Sequence, residues 1–519
     1  MKQIKKALAV LITMAMMFCL LAGGIEAAAT GPYTTETFRN AKRYTFMHNA
    51  GDEKDYKSVM YYTDDYFTLD PTASAPNISF MSASYALSLA AMQSNDKASY
   101  AQGSQNLRNL LKKLGYKNFT ANEGFTTKPT SNSIGVAAAC KKVKDYTVIA
   151  VGLRGAGYER EWAGNFNLGR YGEHDDFASN KTKTLKFLKQ FIKDNQIKGH
   201  VKIWMAGYSR GGAVGNLVAA AIDDGALKST GIKVGQKDLY AMFYEPPQGA
   251  DATKDLKSKR YNNIWSFINL YDAVPLFAMS EFGFGRYGRV WNYPSKNTTE
   301  NYAAKLKTFK KLFYAQTSHE VEGDYTADDF QMYKLDLANG IIAEDTKSKK
   351  TLAEFGPEMT HFMCTTLIGS RDNFVNEYEN YARAICTIFF GNDILTGTES
   401  ADGFQKALRE NLKEESMASR LARAAKTPYD TTYGFNTVVR DLILESVNDA
   451  GFYVADPVTL ADFITVAVKV VAGLLLFNPD MAVTAIMNGS SLINCHYPEV
   501  SFAWLMSMDP NYNGVKDCY

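Results

Sequence analysis

Residues 204–215 read "WMAGYSRGGAVG" and place one serine, Ser209, between an apolar run and a small-residue run at helical spacing. Glycines stand at 207, 211, 212 and 215 around it. The five residues from Gly207 to Gly211 fit the G-x-S-x-G pattern. After a strand and before a helix, that pattern presents a serine outward on a sharp turn. Glycines suit such a turn because they have no Cβ to meet the neighbouring chain. The helix that follows aims its dipole at negative charge developing near the serine. The chemistry such a serine does is nucleophilic acyl transfer.

A serine hydroxyl needs a base, and the base needs an acid to hold it. On strand–turn–helix scaffolds of this kind the acid and then the histidine follow the serine in the chain. Three of the six histidines follow Ser209: His319, His361 and His496. His319 lies in the polar stretch "AQTSHEVEGDY", and His361 in "GPEMTHFMCTTL", within a helix-rich region. His496 lies in "SSLINCHYPEVSFAWL", beyond that region. His496 is therefore the predicted base, with His361 as the alternative. The acid is expected on a loop after a later strand. Asp272 ends the apolar run of "IWSFINLYDAVP", and Glu245 in "FYEPPQG" is its rival. Two backbone donors should hold an oxyanion. One is the N–H of Arg210, and the other that of Ala156 in "LRGAG", a loop that Arg154 organises.

Elements must hold these residues in place. "YTVIAVGL", "VKIWMAG", "DLYAMFYEPP" and "NNIWSFINLYDAVP" read as buried strands. "NKTKTLKFLKQFIKDNQI" and "RGGAVGNLVAAAIDDG" read as helices between them. Alternating strands and helices predict an α/β fold with a mostly parallel sheet. Upstream, "FMSASYALSLAAMQ" and "YAQGSQNLRNLLKKLG" are expected helices. Residues 297–490 carry helical spacing and are expected to form a large helical insertion, a cap in contact with lipid interfaces. The predicted organisation is a 30–296 core, this insertion, and a 491–519 segment carrying His496. The apolar stretch Phe463–Phe477 is short for a membrane span and is broken by Lys469.

The 519 residues are 46% hydrophobic and 22% charged, a globular balance. The N-terminus has Lys2, Lys5 and Lys6, then an apolar run from Ala7 to Ala22, then small residues. Residues 1–29 are thus an expected secretory signal peptide, and the mature protein an extracellular one. Loss of these residues removes three lysines and Glu26 and leaves 54 charges of each sign. That balance gives no reason to expect a nucleic-acid partner. Five cysteines remain, too few for a disulfide scaffold. No His, Cys and Asp cluster has metal-ligand spacing, and no cofactor is expected.

Taken together, these segments resemble the class 3 lipases, the fungal-type triacylglycerol lipase family. "GYSRGGA" is similar to that family's elbow. "VGLRGAGYEREWAGNF" is similar to its oxyanion loop, with Trp162, Asn165 and Phe166. "FYEPPQG" and "FINLYDAVPLF" are similar to its next two strand ends. The resemblance spans about 135–290 and 490–505. It implies an α/β-hydrolase fold with Ser209, Asp272 and His496 as triad, and an ester or lipid substrate. Tyr208 and Arg210 depart from the usual His and Leu, and Ala156 from the usual Thr or Ser. His496 follows Asp272 by 224 residues, farther than usual, as an insertion requires. The expected protein is a secreted serine ester hydrolase. The alternatives are a non-catalytic binding protein on the same fold, or a peptidase or thioesterase with the same triad.

Overall fold

The computed structural model describes residues 31–49, 55–92, 102–125, 130–155, 161–296, 299–321, 330–336, 341–380 and 495–512, with a few positions between 382 and 484. The expected signal peptide, Ala156 and the apolar stretch Phe463–Phe477 lie outside the described residues. A hairpin of β1 (Lys42–Asn49) and β2 (Asp55–Tyr62) leads into helices α1 (Ile78–Ala90) and α2 (Gln102–Lys113). Strands β3 (Lys117–Ala121), β4 (Val136–Val143) and β5 (Tyr146–Leu153) follow. Then come α3 (Asp175–Asp194), β6 (Gly199–Tyr208), α4 (Arg210–Asp223), β7 (Leu239–Tyr244), β8 (Ile264–Ile268) and β9 (Arg289–Asn292). The main sheet runs β9-β8-β7-β6-β5-β4-β3. Its pairs from β5 to β9 are parallel, and β3-β4-β5 are antiparallel. The fold is α/β.

Side-chain alternation along each strand sorts residues onto two faces. In β6, Val201, Ile203 and Met205 join the core under α3 and α4. Trp204, Ala206 and Tyr208 join the opposite core with α1 and α2. The second face is strongly aromatic, adding Tyr240, Tyr244, Trp265, Phe267, Trp291 and Tyr293 from the neighbouring strands. Helix α1 has no solvent face, and all thirteen of its residues are buried. Its serines are therefore satisfied inside. Ser84 Oγ accepts from Trp204 Nε1 at 2.8 Å, and Ser79 Oγ donates to Asp509 Oδ1 at 2.8 Å.

Past β9 the structure departs from an all-helical insertion. Helix α5 (Tyr302–Thr317) is present, but it is followed by an antiparallel hairpin of β10 (Phe330–Asp336) and β11 (Ile341–Lys350). An Asn-Gly pair at 339–340, a strong hairpin signal, sits between the two strands in sequence. The polar run "AEDTKSKK" in β11 hides the strand because it has no apolar alternation. Helix α6 (Leu352–Phe362) follows, started by a Thr351–Glu354 capping box. The last described helix is α7 (Pro498–Met508). Helix α5 packs on α7, with Phe309 stacked on Trp504 at 4.4 Å between ring centroids.

Candidate active site

Ser209 links the end of β6 to the start of α4 at φ 53°, ψ −128°. That region is sparsely populated by residues with a Cβ, and such strain gathers at functional turns. Hydrogen bonds on both sides hold it. Ser209 N donates to Tyr244 O at 2.8 Å, and Ala213 N donates to Ser209 O at 3.0 Å. Two glycines are required by close approach. A Cβ on Gly207 would lie 2.6 Å from Gly211 O, and one on Gly211 would lie 2.5 Å from Arg154 O. The elbow therefore closes on itself and on the end of β5.

The structure brings Ser209, His496 and Asp272 into one line. His496 Nδ1 is 2.5 Å from Asp272 Oδ2, and His496 Nε2 is 2.9 Å from Ser209 Oγ. An ionised carboxylate only accepts, so Nδ1 carries the hydrogen. In the neutral ring the Nε2 lone pair then accepts from the serine hydroxyl. Asp272 Oδ1 accepts from Val274 N at 2.9 Å, which fixes the carboxylate plane. All three residues are buried. The partners are 287 and 224 residues apart in the chain, so only the fold joins them. The other two histidines stand elsewhere. His361 is largely exposed and faces Glu281 at 3.5 Å. His319 N donates to Thr317 Oγ1 just beyond α5. Glu245, the rival acid, accepts from Ser501 Oγ at 2.6 Å and from Asn269 N at 2.8 Å.

Tyr208 has a role that sequence reading missed. Its ring stacks on the His496 imidazole at 5.0 Å, and its hydroxyl donates to the His496 carbonyl. Nothing in the sequence joins Tyr208 to a residue 288 positions away.

Arg210 contributes in two ways. Its backbone N–H stands at the first helical position, where amides have no intrahelical acceptor. Its buried guanidinium pairs with Asp176 Oδ2 at 2.5 Å and donates to Asn165 Oδ1 at 2.9 Å and to the Ser133 carbonyl. The neighbouring loop is held by Arg154, fully buried, which pairs with Glu161 and donates to Gly124 O at 2.9 Å. Asp176 and Glu161 were not singled out from sequence. Acids are paired with buried arginines by necessity, but which acid serves is set by tertiary contact. Among the described residues no group of three or more His, Cys, Asp or Glu is gathered to hold a metal.

No family model matches the chain, and no curated protein matches it. Solved structures similar to parts of it include two lipases. One is a triacylglycerol lipase whose catalytic centre is described as formed by a serine protease triad. It is 18% identical over 32% of this chain and 64% of that chain, with a TM-score of 0.25. The other is the Rhizomucor miehei lipase–propeptide complex of a deletion mutant. It is 14% identical over 53% of this chain and 86% of that chain, with a TM-score of 0.26. The match spans less than two thirds of the first lipase.

Proposed function

We propose that this chain is a serine ester hydrolase of lipase or carboxylesterase type. The observation that carries the reading is the hydrogen-bonded line from Ser209 Oγ through His496 to Asp272, set on a strained strand–helix turn. Ser209 Oγ attacks the ester carbonyl while His496 Nε2 takes its proton. His496 then returns the proton to the departing alkoxide, leaving an acyl-enzyme. Water, deprotonated by the same imidazole, releases the acid. Asp272 holds Nδ1–H and stabilises the imidazolium. The N–H of Arg210 is one oxyanion donor, and we assign the second to Ala156. Removing such a donor typically costs about 3–4 kcal/mol of transition-state stabilisation. The leader-like residues 1–29 support export to the cell exterior.

A fluorophosphonate probe tests the reading directly. The wild-type protein should label at Ser209, and Ser209→Ala should not label. Turnover across a chain-length series of p-nitrophenyl esters then defines the acyl preference. A correctly folded wild-type protein that neither labels nor turns over would favour a non-catalytic binding protein.

A further inference from the structure

A second carboxyl lies behind the triad. Glu245 follows β7 directly and is fully buried. Its backbone is fixed in the left-handed region at φ 47°, with Glu245 N donating to Phe267 O at 2.9 Å. Its two oxygens accept from different elements, Ser501 Oγ on α7 and Asn269 N after β8. Asn269 also starts the turn that carries Asp272, whose N–H donates to Asn269 O at 3.0 Å. Glu245 and Asp272 thereby both bond Asn269, one through its side chain and one through its backbone N–H, and their buried carboxyls are neighbours.

When two carboxyls share one buried site, the charge on one raises the pKa of the other, which then keeps its proton. Asp272 accepts from the His496 N–H through Oδ2 and from the Val274 N–H through Oδ1. Glu245 has weaker claims to charge. Burial, and then the neighbouring Asp272, push its carboxyl well above the usual range, against the opposing pull of Ser501 and Asn269. The other groups facing Glu245 do not reverse this. Tyr85, Tyr208 and Tyr293 are all held neutral by burial. Glu499 on α7 lies near Tyr85 and Tyr208 and adds further acidic surroundings. Arg286 is the cation facing both Glu245 and Asp272 among the described residues, and it balances one negative charge rather than two.

We propose that Glu245 is a positioning residue, a neutral carboxylic acid whose O–H donates to Asp272 and so orients the acid that orients His496. This rests on the triad reading above. It deepens that reading by giving the site a fourth member, which acts through Asp272 and touches neither substrate nor serine. The donated hydrogen bond spreads the charge of Asp272 and makes it a weaker partner for an imidazolium. Losing the donor should favour the protonated ring and move the acid limb of kcat/KM toward higher pH.

Two substitutions and one spectrum test this. In Glu245→Gln the amide N–H replaces the acid O–H toward Asp272, and Ser501 turns to accept. Hydrolysis of p-nitrophenyl butyrate should stay within about fivefold of wild type, with the acid limb unmoved. Glu245→Met keeps the length but not the donor. It should lose about tenfold or more in kcat/KM, with the limb shifted upward by about half a pH unit or more. An acid limb that moves down in Glu245→Gln would mean that a carboxylate charge had been removed, which overturns the proposal. Matching profiles for Gln and Met would overturn it as well. Infrared difference spectra of wild type against Glu245→Gln, taken in D2O near about pH 8, read the proton without turnover. A protonated-carboxyl band lost in the Gln variant is expected, and its absence refutes the neutral acid. Full activity in Ser209→Ala would sink the triad reading instead, and the infrared band separates that failure from this one.

Discussion

At the scale of single residues, the proposed site is a hydrogen-bonded line with one member from each of three distant segments. Ser209→Ala should bring ester hydrolysis to near background in a folded protein, and His496→Ala should cost a similar amount. Asp272→Asn should cost on the order of 10⁴-fold in kcat, because the ring loses its tautomer and orientation. Combining Ser209→Ala with His496→Ala should add little to either alone, since the members act as a unit. His361→Ala should retain most turnover, as its ring faces Glu281 rather than Ser209. A dead His361→Ala beside an active His496→Ala would reverse the assignment of the base. The elbow was legible because its demands are local: glycines at two close approaches and a serine at a strand's end. Asp272 was legible as an acid closing an apolar run. Tyr208 and Glu245 were not legible in their observed contacts. Each acts on a partner that the fold alone brings near, Tyr208 on His496 and Glu245 on Asp272 and Ser501.

At the scale of elements, two helices and one loop are pinned by a buried charge. Asp176 in the first turn of α3 meets Arg210 in the first turn of α4, and Arg210 reaches on to Asn165 and to the carbonyls of Ser131 and Ser133. Asp176→Ala would leave the guanidinium uncompensated, so thermal or urea unfolding should show a loss of about 3–5 kcal/mol. A loss under about 1 kcal/mol would show that Arg210 keeps adequate partners without it. The β1–β2 hairpin carries a second buried titratable group. His48 bonds Ser58 Oγ through Nε2 at 2.8 Å, and burial pulls its ring down to about 3. In the unfolded chain a histidine takes its proton near pH ~6.5. Between those values the unfolded state binds more protons, so this group's contribution to stability falls as pH falls. Relative to His48→Gln, wild type should lose about 1.4 kcal/mol per pH unit below about pH 6. A stability difference that stays constant from about pH 7 to pH 4 would mean that the folded His48 titrates freely. The central strands and the helices around them were readable from apolar runs and periodicity. The two hairpins were not read: β1 and β2 mix polar and aromatic residues without a clean period of two, and in the other the Asn-Gly pair and the alternation of Tyr333 to Asp336 were outweighed by the polar run that fills β11.

At the scale of the whole molecule, the C-terminal segment is built into the core and brings the histidine with it. Helix α7 lies against α1 and α5 in the aromatic core that begins at Phe46 and ends at Tyr512. Tyr85 OH donates to Pro498 O at 2.8 Å, and Tyr512 OH donates to Val59 O at 2.9 Å. His496 stands two residues before α7, and Ser501 within it holds Glu245. The position of His496 is therefore a property of the global core and not of a surface loop. Trp504 is the test point, almost fully buried and stacked on Phe309 and Tyr302. Trp504→Ala should destabilise by about 3–5 kcal/mol through lost burial and the cavity left behind. Because α7 has no independent surface on which to loosen, activity and tertiary structure should fail together. In a thermal ramp, ester hydrolysis and the near-ultraviolet circular dichroism signal should vanish over the same interval, in wild type and, at lower temperature, in Trp504→Ala. Inactivation well ahead of the spectroscopic transition would show that α7 opens as its own unit, and that His496 is carried by a detachable arm.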